Sequence, residues 1–140
     1  MTDVHSPTIR SYNMSRIKGK DTKPEFLVRR FLHSKGLRYR LHSKTLQGKP
    51  DIVLKKYKTV VFINGCFWHG HKNCRYFILP KTRTEWWSNK IEGNKRNDKK
   101  NISVLRKSDW RIYNIWECQL KRNNKDKNLN ALYQKIINQK

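Results

Sequence analysis

The sequence has no apolar run approaching the roughly 20 residues that a membrane-spanning helix needs. Its start, Met1 to Arg10, lacks the apolar core of a signal peptide. Acids are scarce: 10 Asp and Glu stand against 33 Lys and Arg in 140 residues, a formal net charge of +23. Self-repulsion of that size destabilises a compact chain, so a polyanionic partner is the natural counterpart. Cysteine is scarce too. There are three, an odd number, and two of them stand close to histidines. That argues against a disulfide framework and for a reduced, cytosolic chain with a metal site.

What remains is enough for one domain with a real core. Hydrophobic residues are only 36% of the chain, but they come in blocks. Five Trp, six Tyr and five Phe are interleaved with the basic segments, which favours nucleic acid as the polyanion.

The densest block is Val60 to Cys74. It opens as a buried strand, stops at Gly65, and then packs Cys66, Phe67, Trp68, His69, His71 and Cys74 into nine residues. Around it the chain reads as α-β-β-β-α-β-α, an α/β (α+β) domain over 21–140 preceded by a loose, nucleic-acid-binding arm over 1–20. Asp21 and Thr22 are N-cap residues, Pro24 and Glu25 suit a first helical turn, and Gly36 stops the helix. Leu37, Tyr39 and Leu41 alternate with Arg38, Arg40 and His42, which predicts a strand with one wet, basic face. After the turn Gln47 to Pro50, Asp51 heads a short buried strand, Lys55 to Lys58 is a hairpin loop, and Thr59 to Ile63 returns. Thr82 or Thr84 caps a long helix to about Lys107 with a dense basic face. Its inward side is Trp87, Ile91, Ile102 and Leu105. Trp110 to Trp116 is another strand, Cys118 follows it, and Leu129 to Ile137 is a final amphipathic helix.

Three chemistries are visible in this pattern. Cys66, Cys74 and Cys118 with one imidazole make a Cys3His set for a tetrahedral structural Zn2+ site. His71 and His69 compete for the fourth place, because Gly70 between them breaks the loop geometry. Asp51, held at a sheet mouth, suits a hard Mg2+ ion. On the returning strand only a backbone carbonyl or Asn64 could add a ligand, and His69 just beyond offers a base. Phe67, Trp68 and one of Trp86 and Trp87 would stack on bases or wedge between them. Glu25, from position alone, is explained by capping.

These residues lie in longer motifs: SYNMSRI at 11–17, DTKPE at 21–25, GKPD at 48–51, GCFWHGH at 65–71, KTRTEWW at 81–87 and WEC at 116–118. In this order, over about residues 10 to 120, the chain resembles the very short patch repair (Vsr) endonucleases. The resemblance implies a fold similar to type II restriction endonucleases, a central mixed sheet flanked by helices with a structural zinc. It implies a bacterial, cytoplasmic, nucleoid-associated enzyme. Such an enzyme uses Mg2+ to nick duplex DNA on the 5′ side of the thymine of a T·G mismatch left by 5-methylcytosine deamination. Asp51 would be the catalytic acid holding Mg2+, joined by the main-chain carbonyl of Ile63. His69 would activate water, and Glu25 would support the site. Cys66, His71, Cys74 and Cys118 would bind zinc. Phe67, Trp68 and Trp87 would form the wedge beside the mismatch, and Met14 would press from the minor groove. Lys49 and Arg83, with Arg38 and Arg40, are the side chains placed to reach groove edges. The expected partner is T·G-mismatched double-stranded DNA, met by a monomer without a membrane; docking of a mismatch-repair protein stays open.

Two positions depart from the family pattern. Asn64 stands where the best-known members have histidine, and it cannot shuttle a proton. Lys72-Asn73 makes the loop between His71 and Cys74 one residue longer than in some relatives. Other classes remain: a non-catalytic zinc-stabilised nucleic-acid-binding module, and a restriction-type endonuclease cutting both strands.

Overall fold

The computed structural model describes residues 22–121 and 123–138. The 1–20 arm, Asp21 and Met14 lie outside the described residues. The elements run α1 (Lys23–Ser34), β1 (Arg40–Leu41), β2 (Ile52–Leu54), β3 (Thr59–Asn64), α2 (Thr84–Lys107), β4 (Arg111–Trp116) and α3 (Lys125–Ile137). Single 3-10 turns follow β2 and β4. The element order is the expected one, and the sheet is mixed. Its strand order is β1-β2-β3-β4, antiparallel up to β3 and parallel between β3 and β4. The parallel pair requires a crossover, and α2 supplies it.

Alternation along each strand explains the layers. Ile52, Leu54, Val61 and Ile115 point to one face and pack with Val28 and Leu32 of α1 and Leu129, Leu132 and Ile136 of α3. Val53, Val60, Phe62 and Ile112 point to the other and meet Leu105 of α2. A sheet covered on both faces reads as continuous apolar runs, as IVL and TVVFI do. Leu32 is fully buried, so truncating it to Ala should cost about 2–5 kcal/mol.

Two local expectations fail for identifiable reasons. The strand over 37–41 shrinks to Arg40 and Leu41. Leu37 is instead spent on the end of α1: its N–H bonds the Leu32 carbonyl across Gly36, whose φ is +79°. Leu41, expected inward, is 41% exposed. Neither threonine caps the long helix. Arg83 occupies the cap at φ +55°, while Thr84 Oγ1 donates back to the carbonyls of Pro80 and Lys81. Among the described residues no helix is long and apolar enough to cross a membrane.

Candidate active site

The antiparallel ladder ends at Ile52–Val61, and Asp51 and Ile63 lie just beyond it. There the Ile63 N–H donates to Asp51 Oδ2 at 2.7 Å. The carboxylate is thus fixed by the backbone of the next strand, at the mouth of an open cleft of roughly 990 Å³. Burial raises its pKa to about 6; the Ile63 N–H opposes this, Glu25 adds to it, and His42 and His69 offset part.

Glu25 enters the same cleft from α1. It does sit in the first turn, its N–H 3.5 Å from Thr22 Oγ1, but its carboxylate is no cap. The residue is 3% exposed, and Oε2 accepts from Arg29 Nη2 at 2.8 Å, one helical turn on. His42 completes the group. Expected on a wet strand face, it leaves the strand at φ +49° with its ring half-buried. Its Nε2 lies 2.8 Å from Arg29 Nη2 and 3.5 Å from Glu25 Oε2. Ligand atoms of Glu25, His42 and Asp51 all lie within 4.8 Å of one another, close enough to serve one ion.

His69 lines the opposite wall. Its Nδ1 is 2.7 Å from Asp98 Oδ2 on α2. Asn94, one turn earlier on that helix, donates Nδ2 to the Trp68 carbonyl at 2.9 Å. The two side chains together hold consecutive loop residues against α2. Gly70 is obligatory for this docking: its φ is +58°, and an added Cβ would meet Ile91 Cγ2 and Lys95 Cε. Asn64 is buried at the end of β3 and lines the cleft with them.

Beneath the loop the structure separates the two rival histidines. His71 joins Cys66, Cys74 and Cys118, with ligand atoms within 4.8 Å of one another; His69 does not. Cys118 Sγ is 3.4 Å from His71 Nδ1, and the Cys118 N–H points at Cys66 Sγ at 3.3 Å. Trp116 stacks flat on the His71 ring at 3.9 Å, fixing its plane. The longer Lys72-Asn73 segment is absorbed by Asn73 at φ +58°. Burial pushes the Cys66 thiol up to about 12 and raises Cys118 as well. Burial lowers His71, keeping its imidazole neutral. At Cys74 a burial cost is outweighed by the Tyr76 N–H and the other thiols, so its pKa falls. Three converging thiols with one neutral imidazole form a donor set for a soft or borderline cation, which would turn the thiols into thiolates.

The aromatics form one cluster above. Phe67 lies 5.3 Å from Trp68 and 5.4 Å from Trp87, centroid to centroid. The Trp86 ring lies under the Arg83 guanidinium, 4.9 Å away, and meets Trp87 edge-on at 4.8 Å on the side away from Phe67. Trp87 is therefore the member of the pair that faces Phe67 and Trp68. Lys49 stands at the cleft rim, whereas Arg38, Arg40 and Arg83 are exposed outside it.

A sequence profile described as DNA mismatch endonuclease Vsr matches residues 2–75. The chain is 50% identical over 121 residues to the type II nicking enzyme V.NmeAIP of Neisseria meningitidis serogroup A, covering 86% of each chain. The chain belongs to the Vsr family of DNA mismatch endonucleases. Other Vsr relatives agree. The DNA mismatch endonuclease Vsr of Escherichia coli K12 is 42% identical over 86% of this chain and 77% of its own. The type II nicking enzyme V.XorIIP of Xanthomonas oryzae is 48% identical over 86% and 88%. Membership places the chain among DNA endonucleases.

Sequence reasoning missed His42, Arg29, Asn94, Asp98 and Trp116. Asp98 had a signal: it is the single acid between Glu92 and Asp109 in an otherwise basic helix face. His42 had none: the bond from its N–H to the Asp51 carbonyl at 3.1 Å, which sets it beside that residue, belongs to the strand pairing.

Proposed function

We propose that this chain nicks one strand of duplex DNA on the 5′ side of the thymine in a T·G mismatch, by Mg2+-dependent hydrolysis, on a restriction-endonuclease-like fold. The carrying observation is that Asp51, Glu25 and the His69–Asp98 pair share one cleft in a Vsr-family chain. The oxygen donors suit a hard ion: two carboxylates, and the Ile63 carbonyl, which leaves β3 along the same edge as the N–H bound to Asp51. Bound Mg2+ would polarise the scissile phosphate and make water a stronger nucleophile. Asp51 and the Ile63 carbonyl would hold the ion, with the Glu25 carboxylate supporting them from α1. Asp98 orients His69 through Nδ1 and leaves Nε2 to take the proton of the attacking water. Asn64 hydrogen-bonds phosphate or water and moves no proton.

Cys66, His71, Cys74 and Cys118 hold Zn2+ as a structural ion in this reading. Holding it, these four side chains would fix the loop that carries His69, Phe67 and Trp68. Phe67, Trp68 and Trp87 wedge beside the mismatch, and Lys49 and Arg83 contact the duplex. Met14, in the 1–20 DNA-binding arm that precedes the 21–140 domain, would press from the minor-groove side. A monomer in the bacterial cytoplasm, at the nucleoid, is the setting this implies.

The test is incubation with Mg2+ and end-labelled duplexes carrying one T·G or one T·A pair. The expected result is a single nick in the T·G duplex alone. Equal cleavage of both, or of neither, refutes mismatch specificity. A linear product from a plasmid substrate would favour double-strand cutting.

A further inference from the structure

The basic face of α2 does not stop at the active cleft. Lys95, Asp98, Lys99 and Ile102 line that cleft at three- and four-residue spacing. Lys99 and Ile102 also line a second, shallower groove, which Ser103, Arg106 and Lys107 continue toward the helix end. The two hollows share one wall and run along a single helix face. From Lys99 to the end of α2 at Lys107 there are four Lys and Arg and no acid. Among the described residues no carboxylate pairs with Lys99, Arg106 or Lys107. The helix dipole accounts for Arg106 and Lys107 in the last turn, but not for Lys99 two turns earlier. The face is also held in register with the catalytic carboxylate. Gln47 Nε2 donates to Asn101 Oδ1 at 2.8 Å, and a Cβ added to Gly48 would come within 2.8 Å of Asn101 Cβ. The turn that delivers Asp51 is thus seated on α2 between Lys99 and Ser103.

We propose that this face of α2, from Lys99 to Lys107, is a phosphate track for the nicked strand on the 5′ side of the nick. The proposal rests on the proposed function and deepens it. Two points set the direction of the DNA along α2. Trp87, part of the wedge beside the mismatch, stands in the first turn of the helix. Asp98, which orients His69 at the scissile phosphate, stands farther along it. The nick lies 5′ of the mismatched thymine, so continuing toward Lys107 continues in the 5′ direction. Lys99 to Lys107 covers about 12 Å of helix, the rise of about three to four base pairs. Lys and Arg there hold phosphates and read no bases.

The test uses the full-length, zinc-loaded protein in buffer without Mg2+, so that binding is read without nicking. The probes are a T·G duplex with long flanks and the same duplex trimmed close to the thymine on its 5′ or its 3′ side. Lys99→Gln/Arg106→Gln removes two charges from exposed helix positions. Fluorescence anisotropy across a salt series gives affinity and salt slope. The double variant should bind the long duplex about tenfold more weakly, with a slope of log K against log salt shallower by about 2. The 5′-trimmed duplex should bind parent and variant alike. Parent affinity and slope in the variant overturn the track, as does a loss that survives 5′ trimming. A loss that vanishes on 3′ trimming instead overturns the assigned side. Phosphate contacts carry no sequence, so the loss should be the same on T·A as on T·G duplexes. A parent that binds both duplexes alike therefore removes mismatch recognition, while the slope difference still decides the track.

Discussion

The Asp98 carboxylate lies 2.7 Å from Nδ1 of His69, joining the middle of α2 to the loop that follows β3. The contact fixes which ring nitrogen faces the cleft. Replacing His69 by Ala removes the base and should lower kcat by about 10²- to 10⁴-fold. Asp98→Asn preserves the size of the acceptor but removes its charge. It should lower kcat by roughly 10- to 100-fold and leave DNA affinity unchanged. Single-turnover nicking and equilibrium binding on the same T·G duplex check both. A variant that loses binding and rate together would make Asp98 a loop-docking residue only.

Metal removal bears on the other side of the loop. Cys66 and Cys118 are both held above the ordinary thiol value, chiefly by burial. Without a cation they remain protonated at neutral pH, and Cys74 is left with weak sulfur hydrogen bonds to Cys66 and Cys118. Purified protein should contain one Zn2+ per chain. Cys118→Ala should lose it and fall in stability by more than about 4 kcal/mol. Protons and metal compete for the same sulfurs, so zinc is released as pH falls, not as it rises. Metal analysis with thermal unfolding at several pH values checks this. Full stability in zinc-free protein would show the cluster to be packing alone.

Much of this site was legible because its residues are close in sequence. Cys66, His69, His71 and Cys74 lie within nine positions, and Asp51 is marked by Pro50 before it and IVL after it. The apolar runs gave the strands, since a sheet covered on both faces needs no alternation. What periodicity could not supply was contact between remote elements. Asp98 is read as part of a solvated basic face until Gly70 brings the loop onto α2. His42 is read as a strand residue until the backbone turns at φ +49° and delivers its ring to Glu25. The failed strand at 37–41 has the same origin: Leu37 alternates correctly, but it seals the end of α1.

The aromatic cluster separates affinity from stability. Trp68 is 38% exposed, whereas Trp87 and Phe67 are partly covered. Stacking on a base contributes about 1–3 kcal/mol. Trp68→Ala should therefore weaken binding to the T·G duplex by that amount and lower Tm little. Trp86→Ala removes a ring that lies under Arg83 and reaches the cluster edge-on through Trp87, so it should change mismatch binding less. Fluorescence anisotropy with T·G and T·A duplexes gives both numbers. Equal losses for Trp68 and Trp86 would move the wedge away from the Phe67–Trp68–Trp87 cluster.

Asp51 gives opposite results for stability and activity. Its pKa in the folded, metal-free protein is raised from 3.8 to about 6, with burial the largest cause. The folded state therefore holds a proton more tightly than the unfolded chain between those values. Stability contributed by this group is greatest below the lower value and is lost as pH rises through about 6. At pH 8 the buried carboxylate costs the metal-free protein about 3 kcal/mol at most. Asp51→Asn removes that cost while retaining an oxygen for the Ile63 N–H. The variant should be more stable than the parent at pH 8, equal to it near pH 4, and inactive in nicking. In the parent, metal binding weakens about tenfold per pH unit below 6, as protons compete for the carboxylate. Urea denaturation at both pH values, in chelator, measures the stability difference. An Asp51→Asn protein that is no more stable at pH 8 would mean the carboxylate is already compensated by Ile63, His42 and His69. One that still nicks at the parent rate would remove Asp51 from the chemistry.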